Sequence, residues 1–168
     1  MLTIKPIKPT QVAAAKQIIA QVAGRIFEPH KTTEEFAAIL ESEHELDDLD
    51  HIEQVYGQGK GLFLAVEDEK RLVGIGAIKP LEGQTAELKR IWLLEEYHGR
   101  GIGYRLVTRL LEFASEAGYR RVVLQTSLEQ VRALAFYRRL GFVEITPYYQ
   151  TPWDDEIFMG LELDMNLI

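Results

Sequence analysis

Apolar residues in this chain change their period several times, and each change marks a predicted element. "LTIKPIK" reads as a short first strand, closed by Pro9. Beyond it, Val12, Ile18, Ile19 and Val22 form a rough stripe at helical spacing, which predicts a helix from a Thr10 cap to about Gly24. Thr32 and Glu35 have the spacing of a capping box, so a second helix runs to about Leu40. Asp47 opens a third, short helix that carries Leu49, Ile52 and Tyr56 and ends at Gly57. The pattern then shortens. "LFLAVE" and "RLVGIGAIKP" flank the charged turn "DEK" and predict a hairpin. "TAELKRIWLL" alternates as a further strand. A helix follows to about Ala117, with Ile102, Leu106, Leu110 and Phe113 on one apolar face and Gly118 at its end. "RVVLQT" has the continuous apolar run of a buried strand. Ser127 and Gln130 repeat the capping-box pattern before a helix to about Leu140, stopped by Gly141. "FVEIT", halted by Pro147, and "EIFMGLEL" are the last two strands. Hairpins mix with two strand–helix units, without repeat or linker, so one mixed α/β domain over residues 1–168 is expected.

Composition narrows the function classes. No apolar run approaches the roughly 20 residues of a membrane span, and "MLTIKPIKPT" lacks the core of a signal peptide. A cytoplasmic protein without membrane association is the expectation. With no cysteine and four scattered histidines, no metal site is expected. The net charge of −7 argues against nucleic-acid partners. Its distribution is uneven. Lys89 to Arg139 holds ten Lys/Arg against five Asp/Glu, whereas Glu28 to Glu53 holds ten acidic residues against Lys31 alone. One stretch suits an anion and the other a cation.

The basic stretch contains "EEYHGRGIGYRLVTRLLEFASEAG", in which Gly99, Gly101 and Gly103 precede or open a helix. A helix N-terminus presents unpaired N–H groups and about half a positive charge, and glycines let a ligand approach the backbone. The combination suits a phosphate group, with Arg100 and Arg105 nearby. It is not a dinucleotide fingerprint. Tyr104 or Leu106 stands where the third glycine belongs, depending on the starting glycine. "GQGKG" is not a phosphate-binding P-loop either, since no Ser or Thr follows its Gly-Lys pair. A tight strand–helix turn without a ligand is the competing interpretation.

The glycine loop has company. Residues 86–145, "AELKRIWLLEEYHGRGIGYRLVTRLLEFASEAGYRRVVLQTSLEQVRALAFYRRLGFVEI", resemble the GNAT superfamily of acyl-CoA-dependent N-acetyltransferases. The family's Gln/Arg-x-x-Gly-x-Gly/Ala loop falls on His98, Gly101 and Gly103, and its tyrosine with terminal Gly-Phe falls on Tyr137, Gly141 and Phe142. The resemblance implies a mixed, mostly antiparallel sheet of about seven strands flanked by helices. The sheet would splay between the strands at "RIWLL" and "VVLQT" to admit acetyl-CoA. It further implies that Ile91 and Leu93 offer backbone groups to the pantetheine arm, with the Leu93 N–H on the thioester carbonyl. His98, Gly99, Arg100, Gly101, Ile102 and Gly103 would hold the pyrophosphate, and Gln130 would face the cosubstrate. The chain departs from the family pattern with His98 in place of Gln or Arg, Glu95 in place of a common proline, and Gln130 in place of a frequent Asn.

Acetylating an amine requires a base for the ammonium, a donor for the oxyanion and a proton for the departing thiolate. By the family match, Tyr137 is the expected general acid; a core tyrosine bonded to a backbone carbonyl is the alternative. Glu87 is the expected base, because strict alternation would put it on one face with Lys89, Ile91 and Leu93. A salt bridge to Lys89 or Arg90 is its alternative role. Tyr148, Tyr149 and Trp153 precede the last strand, where they would border the acceptor or simply pack a loop. The expected activity is transfer of acetyl from acetyl-CoA to a primary amine of a small or amino-acid-like molecule by direct attack in a ternary complex. The acidic stretch favours a cationic acceptor over an acidic one. A homodimer is compatible with the sequence. The competing functions are a non-catalytic acyl-CoA sensor or partner-binding module and a nucleotide-binding regulatory domain.

Overall fold

A computed structural model describes residues 1–163; Asp164 to Ile168, which the expected domain includes, lie outside the described residues. Seven strands form one open sheet: β1 (Leu2–Pro6), β2 (Leu62–Asp68), β3 (Arg71–Glu82), β4 (Thr85–Leu93), β5 (Arg121–Ser127), β6 (Val143–Glu144) and β7 (Glu156–Glu162). Their order is β1-β2-β3-β4-β5-β7-β6. Every neighbouring pair is antiparallel except β4–β5. Helices α1 (Val12–Phe27), α2 (Thr33–Ser42), α3 (Ile52–Tyr56), α4 (Ile102–Glu116) and α5 (Val131–Arg139) flank it. The mixed, mostly antiparallel seven-stranded sheet is therefore the architecture expected from the sequence.

Local chemistry explains where the boundaries fall. At α2 the capping box forms: Glu35 N–H donates to Thr32 Oγ1 at 3.1 Å and Thr32 N–H to the Glu35 carboxylate at 3.3 Å. Thr10 caps nothing. Residues Pro9–Gln11 make a 3₁₀ turn first, closed by the Gln11 side chain on Lys8 N–H at 2.9 Å. Helix α1 also passes Gly24, whose missing side chain serves packing: a Cβ there would lie 3.1 Å from the Phe36 ring. The second expected box fails too. Ser127 is the last residue of β5, and its buried hydroxyl has no partner among the described residues. Its carbonyl, not its hydroxyl, receives Gln130 N–H, at 3.0 Å.

Two irregularities of β4 shape everything downstream. The first is a bulge. Ala77 pairs with Lys89, yet Ile75 pairs with Trp92, so Arg90 and Ile91 together oppose Gly76. Arg90 adopts φ +60° to make the step. Its guanidinium is held by Asp48, with Nε–Oδ2 at 3.0 Å and Nη2–Oδ1 at 2.5 Å, and by the Glu45 carbonyl at 2.6 Å. Tyr56 donates to the same carboxylate at 2.5 Å. Burial alone would raise the Asp48 carboxyl, but the Arg90 charge and hydrogen bonds hold it below the usual carboxylate range.

The bulge overturns the expected common face. Glu87 and Lys89 pair with Lys79 and Ala77 and share one face. Ile91 and Leu93 lie on the other, over Gly76 and Gly74 and beside Leu106 of α4; a Cβ on Gly76 would meet Ile91 at 2.8 Å and Leu106 at 3.0 Å. An extra residue inverts every later side chain, because the strand's period is two.

The second irregularity is the seam with β5. Only Thr85↔Arg121, Ala86↔Val122 and Glu87↔Val123 pair. Beyond them β4 stays with β3 and β5 with β7, so the two strands diverge. Apolar residues anchor both halves: Ile75, Ala77 and Ile78 in β3 and Val122 and Leu124 in β5 are buried, as are Leu106 and Leu110 of α4. Each of the larger aliphatic side chains among them contributes about 1.5–3 kcal/mol on burial, which anchors its half of the sheet.

Candidate active site

The divergence of β4 and β5 opens a cleft of about 840 Å³, bounded by the start of α4, by α5 and by Val22 and Arg25 of α1. Ile91, Leu93, His98, Gly99, Gly101, Ile102, Gly103, Gln130 and Tyr137 all line it. Of the residues expected to bind the cosubstrate, Arg100 alone is not in the lining. Its guanidinium lies 5.1 Å from the centre of the Tyr97 ring.

The glycine loop is built for close approach. Gly99 and Gly101 take φ +76° and +77°, a region costly for residues with a side chain. Gly101 is the N-cap of α4, and no atom lies within 4 Å of where its Cβ would stand. The first N–H groups of a long, well-packed helix therefore face an open surface.

Strand β4 contributes its backbone. Leu94 N–H bonds to the Val73 carbonyl at 2.9 Å, so by antiparallel alternation the polar groups of Leu93 and Ile91 point away from β3, into the gap. His98 Nε2 meets the Leu93 carbonyl at 2.8 Å. A carbonyl only accepts, so Nε2 carries the hydrogen. Nδ1 is buried without a partner among the described residues.

Tyr137 sits on α5 with its ring 5.5 Å from Phe136 and 5.7 Å, edge-on, from Phe142. It is 7% exposed, and no hydrogen bond ties its hydroxyl among the described residues. Burial pushes its pKa above the ordinary phenol value, which keeps it a proton donor at neutral pH.

Glu87 lies at the inner end of the seam, 6% exposed, and does not line the cleft. Neither expected ion pair, to Lys89 or Arg90, forms within 4 Å. Lys79 Nζ instead stands 3.9 Å from Oε1, and the Tyr148 hydroxyl donates to Oε2 at 2.5 Å. Burial lowers the Lys89 ammonium's pKa, and the Glu87 charge opposes that. Tyr148 packs edge-to-face on Tyr149 and Phe158 at 5.2 and 5.1 Å. Trp153 is 66% exposed.

The family model of the Acetyltransferase (GNAT) family matches residues 18–142. The chain belongs to this family. It is thereby an acetyl-CoA-dependent acyltransferase by descent. An uncharacterized N-acetyltransferase of Schizosaccharomyces pombe is 30% identical over 132 residues, 77% of this chain and 81% of its own. Among solved structures, a GNAT-family acetyltransferase of Staphylococcus aureus superposes with a TM-score of 0.81 at 20% identity, covering 98% of this chain and 100% of its own. A PaiA N-acetyltransferase of Thermoplasma acidophilum, solved with coenzyme A, gives 0.76 at 17%, covering 97% and 99%.

Within this GNAT chain, three contacts escape sequence reasoning. The Tyr148–Glu87 bond spans 61 positions and the Arg90–Asp48 pair 42. No spacing rule links either. The His98 bond to Leu93 spans five positions, but it depends on the turn at Glu95–Tyr97 bringing the ring back on the strand. The acidic stretch is also less free than its sum suggests. Glu28, Glu41, Asp47, Asp48 and Asp50 lie within 4 Å of Lys31, Lys16, His44, Arg90 and Lys16 respectively. Among the described residues, no helix is long and apolar enough to cross a membrane.

Proposed function

We propose that this GNAT enzyme transfers an acetyl group from acetyl-CoA to a primary amine of a small or amino-acid-like acceptor, by direct attack within a ternary complex. The observation that carries this reading is convergence. The open N-terminus of α4, the outward Leu93 N–H and the untied Tyr137 hydroxyl all border one cleft. That donor set fits acetyl-CoA: helix N–H groups for the pyrophosphate, strand groups of Ile91 and Leu93 for the pantetheine amides, and room for both. That the Thermoplasma acidophilum neighbour was solved with coenzyme A supports the assignment.

Each residue then has a task. Leu93 N–H holds the thioester carbonyl oxygen as negative charge develops there. Glu87, set back from the cleft, receives through water the proton that an alkyl ammonium, with a pKa of roughly 10, must lose before attack. The Tyr137 hydroxyl protonates the departing thiolate. Half of the acidic stretch is internally paired, so the cationic acceptor remains a weaker expectation than the amine itself.

Free-thiol release from acetyl-CoA across a panel of primary amines, polyamines, amino sugars and amino acids tests the proposal. Turnover with at least one amine is the expected result. Tight coenzyme A binding by calorimetry with no thiol release on any amine would overturn it and favour a non-catalytic acyl-CoA sensor.

A further inference from the structure

Among the described residues three guanidiniums line the cleft, and the glycine loop supplies none of them. Arg100 is turned onto the Tyr97 ring, and Arg105 of α4 is outside the lining. His98 is committed through Nε2 to the Leu93 carbonyl. Arg132 and Arg139 come from α5, on the β5 side of the cleft. Arg25 comes from the last turn of α1, where Gln21, Val22, Arg25 and Ile26 recur at helical spacing along the cleft while Ile18, Ile19 and Ala23 face the core. Its Nη1 lies 2.5 Å from Oε2 of Glu95, the residue that opens the turn between β4 and the glycine loop. Glu95 also lines the cleft, so a carboxylate stands at the approach to the α4 N-terminus.

Resting on the proposed acetyl-CoA site, we propose that Arg25 is an exchangeable clamp, which leaves Glu95 and closes on the pyrophosphate when the cosubstrate binds. The resting pair parts at little cost. Its two side chains are 65% and 69% exposed, and pairs so open to water contribute little. Water takes over the carboxylate that Arg25 leaves. A pyrophosphate offers the guanidinium more. It is multiply charged, is held still against the N–H groups of α4, and presents adjacent oxygens that a planar fork engages in pairs. Those N–H groups carry partial charges, whereas Arg25 brings a full one from the α1 wall. Glu95 plays the opposing part. Paired, it is neutralised in the free protein; released, it repels the phosphates at short range. The proline common at that place in the family would do neither, so the exchange belongs to this chain's own departure at Glu95.

The test is calorimetry with coenzyme A, 3′-dephospho-coenzyme A and pantetheine on the parent, Arg25→Gln, Glu95→Gln and the double variant. Arg25→Gln should weaken coenzyme A by roughly tenfold or more, the scale of one charge-assisted contact. The same loss should appear with 3′-dephospho-coenzyme A, which keeps the pyrophosphate, and vanish with pantetheine, which lacks it. Glu95→Gln should act in the opposite direction and tighten coenzyme A by roughly two- to fivefold, since it removes a competitor and a repulsion. Arg25→Gln should then cost more in the Glu95→Gln background than in the parent. Both side chains are exposed, so melting temperatures should match the parent. A loss confined to coenzyme A would move Arg25 to the 3′-phosphate, and a loss shared by pantetheine would make it a wall of the pantetheine arm; either overturns the clamp. Unchanged or weaker binding in Glu95→Gln overturns the exchange, because a carboxylate that only steadies Arg25 is missed when removed. All of these leave the acetyl transfer standing, whereas a parent that binds no coenzyme A overturns both.

Discussion

The two sides of the β4–β5 seam present different chemistry. On the α4 side most groups are backbone, N–H groups at the glycine loop and the polar edge of Ile91 and Leu93, joined by the His98 ring and the Tyr137 hydroxyl. On the opposite side they are side chains: Glu87, Tyr148, Lys79 and Lys89. Backbone donors do not titrate and tolerate many side-chain changes, provided the glycines stay. Side-chain groups titrate and move with their neighbours.

That contrast can be broken at three places. The largest effect is expected from Tyr137→Phe, which removes the proton donor but no binding group; turnover should fall by roughly 10²- to 10⁴-fold with coenzyme A affinity unchanged by calorimetry. An equal turnover would return Tyr137 to a core role. Next is Arg90→Met, which acts on both sides at once by releasing the bulge. It leaves Asp48 buried without its cation and should cost about 3–5 kcal/mol in urea unfolding at pH 7. Since the folded-state pKa of Asp48 is depressed, the stabilisation is present above its unfolded value near 3.9 and lost as pH falls through the lower folded value. The gap between parent and variant should thus close below about pH 4; a gap that persists there would place the effect elsewhere. The smallest of the three is Gly101→Val. A β-branched residue at φ +77° costs on the order of 1–3 kcal/mol locally, and coenzyme A affinity should drop at least roughly tenfold while Glu87 and Tyr148 stay in place. Unchanged affinity in a folded variant would show that the loop is only a turn.

The backbone side was the more legible of the two. Gly99 and Gly101 announce themselves because few other residues accept their φ, and Tyr137 lies on a short helix that Gly141 closely follows. The sheet, too, follows from the alternation and turns of its strands. Alternation misled at β4, where the inversion at Arg90 depends on Asp48 from a segment brought near only by folding. The second capping box read Ser127 as a cap because its spacing to Gln130 suits one; pairing with Glu156 holds Ser127 in β5 instead. For Tyr148, composition does not separate an acceptor contact from loop packing, and its bond to Glu87 joins residues 61 positions apart.

The three-residue seam has a consequence for how the molecule breathes. Two half-sheets, β1–β4 and β5–β7–β6, meet in a short ladder and then face each other across unpaired edges. An edge in the middle of a sheet is usually a defect; here it leaves room for a strand that the chain does not encode. In the free protein the Ile91 and Leu93 amides should exchange with solvent deuterium as though at the rim of the sheet, far faster than those of β3 next door. A cosubstrate arm laid along them would slow that exchange and tie the halves together, so that one of the reactants serves, while it stays, as part of the scaffold.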